Sequence, residues 1–358
     1  MTYQTPAGEI VCARRLTGQM AIEKILVRAP NWIGDAVMCL PAIEALRALY
    51  PSSEVSVLAR PRVVPVFENN PAISVIIRLE GSRHSGLLGT LRLSRELRGR
   101  SFDLAVLFQN AFGAALISLL GGARERVGYA RDLRSGLLTR AIPVSGEIRK
   151  KHQVFYYLNI IKELGGSIPD KPVPQIYITG QETAAARAFL EKNNLKGKPV
   201  FGVAPGASYG PSKRWPADRF ASVLKGLVGE YGGAALVFGG PEDKEACAGV
   251  KEAMPSAIDL SGKIPLRESI ALMSCTSAFI TNDSGPMHIA AALGVPTVAV
   301  FGSTEDSLTG PVGRNAASVR EKTECSPCFK RECAFGHYEC LKRVEAQRVL
   351  AKVKELIQ

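Results

Sequence analysis

The sequence predicts an α/β protein made of two doubly wound domains, each a parallel sheet covered by helices. Its 358 residues suit two domains of about 160 to 180 residues better than one small core. Short apolar segments alternate with longer helical segments between residues 24 and 301, which is typical of parallel sheets. The proline-rich residues 168–174 separate two series of this alternation and predict an interdomain linker.

The two predicted domains are residues 21–170 and 171–344, followed by a closing amphipathic helix over 345–358. Residues 1–20 precede the alternation and are interpreted as a non-native or disordered extension. In the first domain we predict strands at 25–29, 54–59, 75–79 and 104–108, and helices at 34–49 and 87–97. In the second we predict strands at 199–204, 234–238, 278–281 and 297–301, and helices at 217–231, 242–253 and 285–293.

The composition is that of a soluble globular enzyme, with 46% hydrophobic and 22% charged residues. No apolar run reaches the roughly 18 residues of a membrane span, and residues 1–20 lack the apolar core of a secretory signal. We therefore expect a cytoplasmic protein whose eight cysteines are reduced.

The net charge of +12 is concentrated in residues 83–151, which contain thirteen Lys or Arg and five Asp or Glu, a balance of 13 − 5 = +8. Such a field favours an anionic partner, here an anionic membrane surface or a phosphorylated glycolipid. A solvated surface without a partner is the alternative. Nucleic acid is not expected, because the basic residues do not alternate with aromatic residues as in single-strand binders.

The first candidate motif follows the first predicted strand and contains Asn31, Trp32, Gly34 and Asp35. Ligands of doubly wound domains bind at the carboxyl ends of the strands, so this turn faces the predicted cleft. Asp35 can act as a helix cap or as a general base for a sugar hydroxyl, and the residues alone leave both open.

The second motif follows the first strand of the second domain and contains Gly206, Ala207, Ser212 and Lys213. Glycines let backbone amides approach a phosphate closely, and Lys213 adds positive charge. A plain Gly/Pro connection is the alternative. Neither the G-x-G-x-x-G nor the G-x-x-x-x-G-K-[ST] pattern occurs, which argues against a dehydrogenase and a P-loop enzyme.

The third motif spans residues 280–291 and opens a predicted helix after a strand. Unpaired amides at a helix start bind anions such as a diphosphate, whereas a single helix histidine such as His288 is also compatible with a structural role. The candidate donor-site residues here are Asp283, Ser284, Gly285, Pro286, Met287 and His288.

Glu242 and Asp243 follow another strand of the second domain, where acidic residues can accept hydrogen bonds from a ribose. The chain has no D-x-D pair, so a metal-chelated sugar nucleotide is not expected. Charge on a leaving diphosphate would then be met by Lys213 and by helix amides.

Together, in this order, the three motifs resemble the bacterial ADP-heptose:lipopolysaccharide heptosyltransferases, a family of inverting enzymes with the GT-B architecture of two Rossmann-like domains. The resemblance extends from Met20 to the C-terminus. It implies an acceptor-binding first domain, a second domain that binds the donor ADP-L-glycero-D-manno-heptose, and no cofactor or metal. It also implies that Asp35 is the base and Lys213 holds the donor phosphates, while Asn31, Trp32, Gly34 and Arg83 contact the acceptor.

The tail contains Cys325, Cys328, Cys333, His337 and Cys340 and resembles the family members that add the second heptose. We therefore expect heptosyl-Kdo2-lipid A as acceptor and a monomer on the cytoplasmic face of the inner membrane. Addition of the first or a later heptose, and a non-catalytic nucleotide-sugar-binding module, are the alternatives. For the cysteines themselves, packed reduced thiols and a zinc site are both open, because the paired C-x-x-C spacing is absent.

Overall fold

The structure is a computed structural model that describes residues 21–81 and 83–358. The predicted extension, residues 1–20, lies outside the described residues. Twelve described strands form two six-stranded sheets. The first sheet contains β1 (Lys24–Arg28), β2 (Glu54–Ala59), β3 (Val75–Arg78), β4 (Leu104–Leu107), β5 (Glu125–Tyr129) and β6 (Arg140–Ile142). The second contains β7 (Val200–Ala204), β8 (Ala234–Val237), β9 (Ile258–Asp259), β10 (Ala278–Asn282), β11 (Thr297–Phe301) and β12 (Ala316–Arg320).

Both sheets have the same doubly wound topology, which confirms the predicted fold class. The orders are β3-β2-β1-β4-β5-β6 and β9-β8-β7-β10-β11-β12, and the paired strands are all parallel. The strand order reverses between β1 and β4 in one sheet and between β7 and β10 in the other. Ligand sites of this fold lie beyond the carboxyl ends of the strands at these switch points.

Helices cover the first sheet. They are α1 (Ile33–Met38), α2 (Leu40–Leu49), α3 (Val64–Phe67), α4 (Gly86–Arg98), α5 (Phe112–Leu120), α6 (Gly146–Lys150) and α7 (Gln153–Glu163). The single helix predicted over 34–49 is wrong, since the chain breaks at Cys39 into α1 and α2. Pro41 lies in the first turn of α2, where its missing N–H is tolerated; in one continuous helix its ring would clash with the carbonyl of Val37.

The helices of the second half begin after residues 166–179, which contain neither helix nor strand. They are α8 (Gly180–Lys192), α9 (Ala217–Tyr231), α10 (Lys244–Ala253), α11 (Leu266–Met273), α12 (Gly285–Ala292), α13 (Asp306–Thr309), α14 (Glu339–Lys342) and α15 (Ala346–Ile357). A capping box fixes the start of α8, in which the Glu182 amide donates to Thr179 Oγ1 over 3.2 Å.

The two halves pack against each other, with α1 against α12 and α3 against α11. Arg267 of α11 pairs with Glu182 and donates to the Pro65 carbonyl of the first half over 3.0 Å. One buried apolar cluster contains residues from both sheets. Because α1 follows β1 and α12 follows β10, the carboxyl ends of the two sheets face each other at this contact.

None of the described helices is both long and apolar enough to cross a bilayer.

Candidate active site between the two sheets

Asp35 lies in the first turn of α1, immediately beyond the carboxyl end of β1. The helix-cap alternative is not what the structure contains, because Trp32 occupies the N-cap position and makes no side-chain capping bond. Instead, Asp35 Oδ1 accepts a hydrogen bond from the Tyr157 hydroxyl of α7 over 3.0 Å. The carboxylate is therefore held in place by a neighbouring helix of the first half.

The surroundings of Asp35 make it a stronger base than an exposed aspartate. Burial raises its pKa, while the Tyr157 hydrogen bond and the charge of Lys213 act in the opposite direction. A carboxylate with a raised pKa accepts a proton more readily once it is ionised. The influence of Lys213 on Asp35 also indicates that residues from the two sheets share one electrostatic site.

Lys213 ends a short 3-10 helix, Pro211–Lys213, that follows β7. Its ammonium forms an ion pair with Asp283, and both side chains are largely buried. Thr304 Oγ1 donates to the same Asp283 oxygen over 2.5 Å, and the Tyr209 ring lies 4.8 Å from Lys213 Nζ. Asp283 thus holds the ammonium in place, where an incoming phosphate would compete with it for the positive charge.

Helix α12 begins at Gly285, directly after Asp283 and the N-cap residue Ser284. Within the described part of the chain, the backbone N–H groups of Ser284 and Gly285 have no protein acceptor, which is the arrangement that binds anions. His288, one turn further, is buried. Burial, reinforced by the charges of His152 and Lys213, lowers its pKa to about 3, so the ring is neutral at pH 7.

Two glycines permit the close contact between α1 and α12. A Cβ at Gly34 would lie 2.8 Å from Cδ2 of His288, and one at Gly285 would lie 2.9 Å from Cβ of Ile33. The structure thus gives Gly34 a packing role, whereas its predicted contact with an acceptor stays a prediction. Met287 is fully buried against Ala299 and Phe301 and faces the core, away from the cleft.

A second polar contact lies beyond β7 and β8, where Gly206 meets Asp243. A Cβ at Gly206 would fall 2.0 Å from Asp243 Oδ1, so only glycine fits beside this carboxylate. Asp243 Oδ2 accepts from the Gly240 amide over 3.0 Å, whereas Oδ1 is buried without a hydrogen-bond partner among the described residues. Arg214 Nη2 reaches the Ala207 carbonyl at 3.5 Å. The unpaired oxygen therefore faces Gly206 and is not open to solvent.

The remaining predicted donor residues lie further from these contacts. The Ser212 hydroxyl donates to the Lys330 carbonyl and accepts from Ser303 Oγ at 3.1 Å, so it anchors the tail. Pro286 occupies the second position of α12, where its missing N–H costs no hydrogen bond. Glu242 is exposed on the short 3-10 helix Pro241–Asp243.

The predicted acceptor residues are only partly gathered. Asn31 accepts from Arg28 Nη2 over 2.8 Å, and Trp32 is half-exposed beneath the Arg62 guanidinium, 5.1 Å from its ring centroid. Both precede Asp35 closely along the chain. Arg83 lies in the loop before α4 and pairs with Glu96, so the structure does not bring it to Asp35.

A profile of glycosyltransferase family 9 (heptosyltransferase) matches residues 90–339, more than half of the chain. The chain belongs to glycosyltransferase family 9. It is similar to lipopolysaccharide heptosyltransferase 2 of Escherichia coli (strain K12), with 29% identity over 346 residues, 93% of this chain and 98% of the relative. The structure of E. coli ADP-heptose lps heptosyltransferase II aligns with a TM-score of 0.79 at 28% identity, covering 93% and 98%. A family 9 structure from Veillonella parvula DSM 2008 aligns with a TM-score of 0.85 at 26% identity, covering 95% and 98%.

These similarities confirm the resemblance on which the sequence motifs converged and the two-sheet architecture. The site of this glycosyltransferase also contains residues that were not among the predicted site residues. Asn282 accepts from the Trp215 amide over 3.0 Å and donates to the Pro205 carbonyl over 2.7 Å, which ties the loop after β7 to β10. The position of Asn282 at the end of a strand could have identified it as a site residue. Nothing in the sequence indicated Tyr157, because 122 residues separate it from Asp35.

The tail of the glycosyltransferase folds back so that Cys325, Cys328, Cys333, His337 and Cys340 line one small pocket. All four thiols are free. Backbone N–H groups, first that of Tyr338, lower the pKa of Cys333, and burial raises that of Cys340. Within residues 21–81 and 83–358, no group of three or more His, Cys, Asp or Glu side chains has the arrangement of a metal site.

Proposed function

We propose that this chain is an inverting heptosyltransferase that moves L-glycero-D-manno-heptose from ADP-heptose to the first heptose of the lipopolysaccharide inner core. The relatives named heptosyltransferase 2 support the second transfer, since they match nearly the full length of this chain. The observation that carries the proposal is the contact between α1, which contains the base Asp35, and α12, whose first turn follows the Lys213–Asp283 ion pair.

The donor binds the second half in this proposal. Its diphosphate binds to the free amides at the start of α12 and to the ammonium of Lys213, because these positively polarised and charged groups lie side by side. Glu242 and Asp243, on the short 3-10 helix that follows β8, accept hydrogen bonds from a ribose hydroxyl, as acidic residues after a strand do in this fold. Neutral His288 adds no charge and supports the contact between the helices.

Asp35 then removes the proton of the acceptor hydroxyl as that oxygen attacks the anomeric carbon from the face opposite the diphosphate. A carbon–oxygen bond to the acceptor forms and the bond to the donor phosphate breaks. The proton goes to Asp35 and the bonding electrons leave with ADP, which inverts the anomeric centre. The charge that grows on the leaving diphosphate is met by Lys213 and the α12 amides.

The same charges support a metal-independent reaction that also needs no cofactor. Transfer is therefore expected to continue in EDTA after the protein has been dialysed against chelator. A strict requirement for an added divalent cation would contradict this part of the proposal.

The acceptor identity is tested by incubating the purified protein with ADP-heptose and either Kdo2-lipid A or heptosyl-Kdo2-lipid A. Mass spectrometry is expected to show one added heptose on the second acceptor and none on the first. Addition to Kdo2-lipid A instead would assign the first transfer. Nuclear magnetic resonance of the product then reports whether the anomeric configuration has inverted.

The basic stretch 83–151 and a lipid-linked acceptor support a peripheral location on the cytoplasmic face of the inner membrane. We propose that the protein acts there as a monomer. Co-sedimentation with liposomes is expected to increase with phosphatidylglycerol and to decrease with salt. Sedimentation velocity is expected to give one species of monomer mass, and a stable dimer would contradict that part.

A further inference from the structure

Large apolar side chains are exposed at one end of the first sheet. Seven large apolar side chains are exposed among the described residues between 21 and 170, and six of them follow the carboxyl ends of strands. Trp32 follows β1, Phe112 begins α5 after β4, and Leu133 follows β5, while three leucines lie in α4 after β3. We name this set the apolar rim: Trp32, Leu87, Leu88, Leu91, Phe112 and Leu133.

The most exposed part of the apolar rim is the start of α4. Leu87 is 84% exposed, Leu88 81% and Leu91 54%, whereas Leu93 and Leu97 are buried on the other side of the helix. Leu87 and Leu91 are four residues apart and share one face of the helix. Side chains of this size are unfavourable in water when they cluster without a partner.

Helix α4 cannot rotate to bury these leucines. Gly89 sits so close to the preceding loop that a Cβ would lie 2.4 Å from the backbone carbon of His84. The buried face of α4 packs in a cluster with Leu26, Phe102 and Ala105 of the first half. The outward direction of Leu87, Leu88 and Leu91 is therefore fixed by the fold.

Unpaired positive charge lies beside the leucines. Arg92, Arg95 and Arg98 are exposed later on the same helix, and within the described residues no carboxylate forms an ion pair with any of them. An outward face that combines leucines with unpaired arginines has the composition of helices that lie in the interface of an anionic bilayer. Leucine, which cannot stack on bases, does not suit a nucleic acid.

We propose that the apolar rim inserts into the interface of an anionic bilayer, with Leu87, Leu88 and Leu91 entering the acyl region and the arginines of α4 binding lipid phosphates. Asp35 lies at the same edge of the sheet, so insertion presents the base to a hydroxyl that projects from the membrane. This deepens the proposed function, on which it rests only for the identity of the acceptor.

The test is binding to vesicles that contain no acceptor. The full chain and the variant Leu87→Ser/Leu88→Ser/Leu91→Ser are sedimented with phosphatidylcholine vesicles that contain phosphatidylglycerol. The partition coefficient of the variant is expected to be lower by about tenfold or more. The control is Leu119→Ser, an exposed leucine at the opposite end of α5, which is expected to change binding by less than about twofold.

Tryptophan fluorescence gives a second readout. The chain has two tryptophans. Trp215 is buried, so a blue shift on vesicle addition reports Trp32 of the apolar rim. Brominated lipids are expected to quench this emission in the wild type and not in the triple variant, whose folding is checked by circular dichroism.

Undiminished vesicle binding by the folded triple variant would overturn the proposal. A dimeric wild type and a monomeric triple variant would also overturn it, since the leucines would then contact a second copy of the chain. Transfer to a water-soluble core fragment separates the two proposals. Active protein that does not bind vesicles refutes bilayer insertion alone, and vesicle binding without transfer refutes the heptosyltransferase alone.

Discussion

Gly34→Ala tests the contact that joins the two halves of the active site. The substitution adds one methyl group to α1, and the new Cβ would lie 2.8 Å from Cδ2 and 3.2 Å from Nε2 of His288. Carbon atoms in contact normally lie about 3.5 to 4.0 Å apart, so the overlap is about 0.7 Å or more. The backbone at Gly34 is not left-handed, so the strain comes from the contact alone.

The cost follows from the rigidity of both partners. His288 is buried and Gly34 lies within α1, so relief requires the helices to separate. Overpacking of this kind costs about 1 to 3 kcal/mol. If that energy opposes the contact between α1 and α12, kcat/KM is expected to fall by about 5- to 150-fold.

Gly113→Ala provides a matched control. Gly113, like Gly34, is the second residue of a helix that follows a strand of the first sheet, and a Cβ there meets nothing within 4 Å. Adding His288→Ala to Gly34→Ala removes the clashing ring, so the double variant is expected to lose less than the sum of the two single losses. Wild-type kcat/KM and Tm in Gly34→Ala would show that the contact with His288 tolerates the added methyl group, contrary to this prediction.

Three further predictions concern charge, proton affinity and the tail. Lys213→Ala is expected to weaken ADP binding by about tenfold or more. Unchanged ADP affinity in calorimetry would show that Lys213 does not contact the diphosphate. Tyr157→Phe removes a hydrogen bond that lowers the pKa of Asp35. The acid limb of the pH profile of kcat/KM is therefore expected to move to higher pH, because the base works only when deprotonated. An acid limb at the wild-type pH would contradict the pairing of Tyr157 with Asp35. Protein purified without chelator is expected to contain well under one zinc per chain, and stoichiometric zinc lost together with Tm in Cys328→Ser would make the tail a metal site.

The sequence located the central strands of each sheet and the edge strand β3, and it missed β5, β6, β9 and β12. The segments at β1, β2 and β4 are almost wholly buried runs of apolar residues, and such runs are distinctive in parallel sheets. Two of the missed strands, β6 and β9, have only three and two residues and carry too little periodicity to be identified. The other two, β5 and β12, have five residues each but are only partly buried, so they lack the continuous apolar run.

The candidate site was predictable where it depends on strand ends and less so where it depends on packing. Asp35, Lys213 and Gly285 each follow a strand, so the rule for doubly wound sheets identified them. Met287 belongs to the same motif, yet its side chain fills the core, because only some faces of a helix start point to a cleft. The Tyr157 contact depends on how α7 packs, which local sequence does not encode.

We propose Asp35 as the base for transfer to the first core heptose. The most direct measurement is single-turnover transfer from ADP-heptose to heptosyl-Kdo2-lipid A by the wild type and by Asp35→Asn, followed by mass spectrometry. We expect one added heptose with the wild type. With Asp35→Asn we expect the rate to fall by about a hundredfold or more, at nearly unchanged ADP affinity and Tm. An undiminished rate in Asp35→Asn would contradict it.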